Sequence, residues 1–123
     1  MENNKENPTN VTDSYWIVKS NNFRSTSQSG KWCLFTTKKE VDNLWRLTSN
    51  EVGKNNFVAA KVSTKLMASL PNRRYVICVY TPDWEDQDEV FRVKNEITKL
   101  GFVGELKFKR DIDTINGVER FVY

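Results

Sequence analysis

Patterned apolar residues follow a polar start in seven blocks. Residues 1–13, MENNKENPTNVTD, are Asn-rich and almost without large apolar side chains. Such a stretch cannot offset the entropy of ordering, so it is expected to be a disordered tail, leaving 14–123 as one domain. In 14–20, SYWIVKS, alternation predicts a strand with Tyr15, Ile17 and Lys19 on one face and Trp16, Val18 and Ser20 on the other. Residues 21–30, NNFRSTSQSG, have loop composition, and 31–36, KWCLFT, form a second strand. Thr37 and Glu40 then have capping-box spacing. Val41, Leu44, Trp45, Thr48 and Val52 follow at steps of three and four, predicting a helix that Gly53 ends in a left-handed turn.

The third strand is read over 57–64, FVAAKVST, with Val58, Ala60 and Val62 on one face and Lys61 and Ser63 on the other. After a short apolar cluster, Leu66, Met67 and Leu70, the run Tyr75 to Tyr80 is apolar and aromatic throughout, as in a central strand covered on both faces. Thr81-Pro82 stops it. An acidic run opens a second helix with Val90, Val93, Ile97 and Leu100 on its stripe, and Gly101 closes it. Residues 105–114, ELKFKRDIDT, alternate as a half-exposed strand. The order ββαββαβ predicts an α+β domain in which a mainly antiparallel, curved sheet carries two helices on one face. The other face is left for a ligand or partner.

Composition narrows what that face could do. At 123 residues the chain can bury an ordinary core, and its net charge of +3 falls short of the basic excess of duplex-binding proteins. A small anionic ligand stays compatible, and DNA is not expected as a partner. The absence of histidine removes imidazole-based acid–base mechanisms. Cys33 and Cys78 lie inside apolar strand patterns without a CxxC, as buried free thiols would. No cofactor is called for. No apolar run is long enough to span a bilayer and no leader pattern is evident, so a soluble, cytoplasmic protein away from membranes is expected.

Strand parity gathers Lys61, Ser63, Lys107, Lys109 and Asp111 on the free face. Cations beside hydroxyls and an aromatic suit a phosphorylated base, although a solvated strand face has the same composition. Arg110 has inward parity, which requires either a bend in the sheet or a buried acid as partner. Trp84, in the turn before the second helix, either closes the helix start as an apolar staple or offers a stacking surface for a base. Trp16, Trp32 and Trp45 are read as core. Asp83, Asp86, Asp111 and Asp113 admit a magnesium-dependent phosphodiesterase as an alternative. Acids in a first helical turn are better accounted for by capping, and they oppose phosphate at that helix end.

SYWIVKS, GKWCLF, AAKVST, YVICVYTPDWEDQDEVFRV and KFKRDIDT resemble, in order and spacing, the blocks of the basophilic-leukaemia-expressed-protein family, from about Tyr15 to Thr114. That family's fold is similar to the cap-binding translation initiation factor. The same blocks resemble the phage Thoeris anti-defence sponge family, first type, which the short Asn- and Lys-rich chain also suits. The sponge resemblance implies a non-catalytic binder, working in the host bacterial cytoplasm, that sequesters the cyclic ADP-ribose isomer made by TIR-domain immune enzymes. It also implies pockets formed by homo-oligomers, a dimer or a dimer-based hexamer, with cyclic oligonucleotides as further ligands. Parity and the blocks together nominate Trp84 for stacking and Arg24, Lys61, Lys109 and Arg110 for phosphate. Ser63, Asp111 and Thr114 are nominated for hydroxyl and ribose contacts. An RNA- or cap-like nucleotide-binding module is the other alternative.

Overall fold

The computed structural model describes residues 7–123. Strands β1 (Trp16–Ser20), β2 (Gly30–Thr36), β3 (Ala59–Ser63), β4 (Tyr75–Thr81) and β5 (Leu106–Arg110) form one sheet in the order β1-β3-β4-β2-β5, with every pairing antiparallel. The expected central strand, β4, is the middle one. Helices α1 (Lys38–Gly53) and α3 (Gln87–Lys99) pack on one face, as the α+β reading anticipated. Their stripes, Val41, Leu44, Trp45 and Val52 with Val90, Val93 and Ile97, close over Trp32, Leu34, Ala60, Val62, Ile77, Val79 and Phe108. Two short helices, α2 (Lys65–Ala68) and α4 (Asp111–Ile115), complete the fold. Among the described residues no helix is long and apolar enough to cross a membrane.

Several local expectations need correction. The last strand ends at Arg110 and not at Thr114, because residues 111–115 turn into α4. Asp111 and Asp113, alternating in the sequence, therefore leave the chain on a helix. Thr37 is the N-cap of α1 but its side chain makes no cap hydrogen bond, so the capping box is not formed. Gly53 is still helical; the left-handed residue that turns the chain is Asn55, at φ 63°, a conformation that asparagine tolerates. Leu66 and Met67 belong to α2, whose start is capped by the Thr64 hydroxyl. Gly101, at φ 94°, follows α3 as the pattern required.

Of the residues expected as a tail, 1–6 lie outside the described residues. Pro8–Asn10 form a 3-10 turn held to α1, where the Thr9 amide and hydroxyl donate to the Asp42 carboxylate at 3.1 and 2.6 Å. The two sheet edges differ. Beside β5, the Phe108 amide donates to the Tyr123 carbonyl (3.3 Å) and the Val122 amide to that of Phe108 (2.9 Å).

Candidate functional site

Pairing register places the open-face residues in rows across the sheet. One row reads Val18, Lys61, Cys78, Cys33, Lys107; beside it Tyr80, Lys31 and Lys109 stand abreast. Lys61, Ser63, Lys107 and Lys109 thus share the face that parity assigned them. Their surroundings differ. The Lys61 ammonium lies 4.1 Å from the centre of the Trp16 ring, which makes Trp16 an open-face residue, while Trp32 and Trp45 are core. Ser63 is fully buried and its hydroxyl accepts the Val76 amide at 2.8 Å, so it is committed to the backbone. Lys109 reaches Glu119 at 3.1 Å.

The chemistry concentrates at one end of the sheet, where β2 begins and β5 passes into α4. Residues two apart on a helix point to different sides, and α4 uses this to serve both faces. Asp111 turns toward the open face and is buried: its Oδ1 is ion-paired with Lys31, and its Oδ2 accepts the hydroxyls of Ser25 (2.6 Å) and Ser29 (2.5 Å). The Thr114 hydroxyl accepts from the Lys31 ammonium at 3.3 Å. Asp111 and Thr114, two of the three residues nominated for hydroxyl and ribose contacts, are therefore engaged by the chain itself. Lys31, which alternation alone did not single out, is the cation they hold; its signal was a lysine at open-face parity within an otherwise apolar strand. Above it, Phe23 packs 5.3 Å from Tyr80, ring centre to ring centre, with exposed Arg24 next in the chain.

Asp113 turns to the other side. It accepts two hydrogen bonds from Arg110, each 2.9 Å, and one from Arg120 at 3.0 Å. Hydrogen bonding to Arg110 holds its carboxyl at about 2; burial opposes this and Arg120 adds to it. The pairing answers the alternative left open for Arg110: its partner is a buried acid. The Arg110 guanidinium also lies 4.7 Å from the centre of the Trp84 ring. That indole is half-buried against the core, and its N–H donates to the Ser27 carbonyl at 3.3 Å. Trp84 thus both closes the end of the core and carries a cation on its face.

The nominated residues do not form a single patch. Trp84 and Arg110 meet on the helix side, Asp111 and Thr114 meet at Lys31 near the start of β2 with Lys109 abreast of it, exposed Arg24 lies in the preceding loop, and Lys61 and Ser63 stand on β3, across the sheet. Because the strand ends at Arg110, parity could not be extended into α4. The acids are also dispersed: Asp83 accepts Gln28 and the Glu85 amide, and Asp86 caps Glu89. Among the described residues no three metal-binding side chains gather.

A concavity of about 470 Å³ lies between the start of α1 and the Gly101 turn, with Leu44, Leu47, Leu100 and Phe102 in its walls. None of the nominated residues lines it. The family resemblance read from the blocks is met at the sheet that bears them: the model of the Basophilic leukemia-expressed protein Bles03 family matches residues 19–113, most of the chain, and the protein belongs to that family.

Proposed function

We propose that the protein is a non-catalytic sponge that binds and sequesters a cyclic ADP-ribose isomer produced by TIR-domain immune enzymes, and so blocks Thoeris anti-phage defence. The observation that carries this reading is the stack of Arg110 on Trp84, with Asp113 and Arg120 alongside. An adenine needs a π-face and a diphosphate needs guanidinium forks, and here the two are adjacent. Arg110 is already aligned by Asp113, so less side-chain freedom is lost when an anion arrives. The ligand's phosphate would compete with the Asp113 carboxylate or share the fork with it. The resemblance of the sequence blocks to the sponge family supports the same reading. It also brings the homo-oligomer: a second copy is the means of bringing Lys61 or Arg24 of one chain to the Trp84 side of another.

The test is retention and intact release. Protein incubated with the TIR-generated signal, freed of unbound ligand and then heat-denatured should return the unaltered cyclic molecule, at a stoichiometry fixed by native mass spectrometry. Arg110→Ala and Trp84→Ala should each weaken binding at least tenfold, whereas Lys99→Ala in the last turn of α3, at the end away from Trp84, should not. Failure to retain ligand, or its turnover, would overturn the proposal. Strongly salt-dependent RNA binding without preference for the small nucleotide would point to the RNA-binding alternative instead.

A further inference from the structure

Cys33 and Cys78 are set face to face on the neighbouring strands β2 and β4, in a geometry that follows from the hydrogen-bond alternation. The Phe35 amide donates to Glu105 (3.2 Å) and the Asp111 amide to Ser29 (2.9 Å), so odd-numbered residues of β2 exchange their hydrogen bonds with β5. Even-numbered residues of β2 must then bond β4. Cys33 and Cys78 are therefore directly opposed but do not hydrogen-bond each other through the backbone. In such pairs the Cα atoms lie roughly 4.5 Å apart and the side chains converge. A disulfide spans roughly 4.4–6.8 Å between Cα atoms, so the spacing typical of such a pair lies within disulfide reach.

We infer that Cys33 and Cys78 form a modification site for small hydroperoxides, closing into a disulfide across the centre of the sheet. Interaction between the two facing sulfurs pushes the Cys33 thiol up and holds Cys78 below its usual value. Burial opposes the Cys78 thiolate, the ammonium groups of Lys61 and Lys31 favour it, and the Asp111 carboxylate works against it. Lys61 stands directly abreast of Cys78 in the row, and this neighbouring ammonium makes Cys78 the attacking sulfur. Its thiolate takes one oxygen of hydrogen peroxide, the O–O bond breaks, and the departing hydroxide takes from solvent the proton that the thiol had released, leaving as water. The Cys33 sulfur then attacks the sulfenic acid, an S–S bond replaces the S–O bond, and the hydroxyl leaves with the Cys33 proton as a second water.

Burial sets the selectivity of the site. Cys33 is 6% exposed and Cys78 3%, so a small peroxide can reach the sulfurs far more readily than a bulky thiol can. The closed form should therefore outlast glutathione in the folded protein, because exchange requires in-line attack on a sulfur.

The full chain is exposed to hydrogen peroxide at doses that oxidise dithiothreitol, quenched, unfolded in an alkylating agent and weighed intact. The expected product is a monomer that has lost both alkylation sites and two hydrogens, with an unchanged far-ultraviolet spectrum. Native glutathione should leave it closed, and denaturation should make it reducible. In Cys33→Ser, treatment with peroxide followed by unfolding in dimedone should give an adduct at Cys78. Two cysteines that remain alkylatable, a sulfinic acid without a disulfide, or a disulfide between chains would overturn the inference. Rapid reduction by glutathione in the folded state would overturn the shielding.

Discussion

At the scale of single residues, the two acids of α4 make opposite demands on pH and packing. Asp113 has its carboxyl lowered from 3.8 to about 2 in the folded protein. A depressed folded value means that the pairing contributes its full stability above 3.8 and loses it as the pH falls toward 2. Urea midpoints should accordingly drop over that window, and Asp113→Asn should flatten the drop while lowering stability at neutral pH. Asp111 poses a burial problem. Asp111→Asn leaves the Lys31 ammonium buried without its counter-charge and should cost about 3–5 kcal/mol in urea titration. Lys31→Met combined with Asp111→Leu removes both charges and should cost less than the single change. The sequence marked Asp111 and Arg110 as residues of interest, but not their partners. Lys31 and Ser29 lie some eighty positions earlier, and nothing local connects them to α4.

At the scale of elements, the two long helices begin differently. Asp86 accepts the Glu89 amide at 3.2 Å at the head of α3, whereas the Thr37 side chain at the head of α1 accepts nothing. Asp86→Ala should therefore cost about 1 kcal/mol and Thr37→Ala only a few tenths, a contrast that parallel thermal melts would resolve. Gly30 shows a different constraint. A Cβ there would come within 2.4 Å of the Phe108 ring, which is wholly buried and cannot swing away. Gly30→Ala should destabilise by about 1–3 kcal/mol. Periodicity made the helices and the central strand legible, since one apolar stripe and one unbroken apolar run are local signals. Capping was less so: Thr37-x-x-Glu40 has the right spacing, yet the side-chain rotamer that decides the bond is set by packing. The fifth strand was overextended because Asp111 and Asp113 continue the period of two while the backbone has already changed to a helix.

At the scale of the whole molecule, the fold class followed from the order of the blocks, but the sheet order β1-β3-β4-β2-β5 depends on long-range pairings that no local pattern carries. The role of residues 122 and 123 is of this kind. Tyr123 stacks near Phe91 (5.0 Å) and Phe108 (5.5 Å) while its backbone covers β5. Removing residues 121–123 should uncover a hydrogen-bonding edge and an aromatic cluster together. Size-exclusion chromatography should then show higher-order species, and the melting temperature should fall. A variant that stays unchanged in both would mean that this segment contributes little.

The placement of Asp111 and Asp113 on opposite sides of α4 has a mechanical consequence. Lys31 and Arg110 anchor one five-residue helix from the two faces of the sheet. Any anion that draws Arg110 away from Asp113 loosens one anchor while the other holds, so α4 would pivot about Asp111. Ligand capture beside Trp84 would then be felt at Ser25 and Ser29 through their shared carboxylate. Amide chemical shifts in the 21–29 loop should therefore respond to an event on the far side of the sheet.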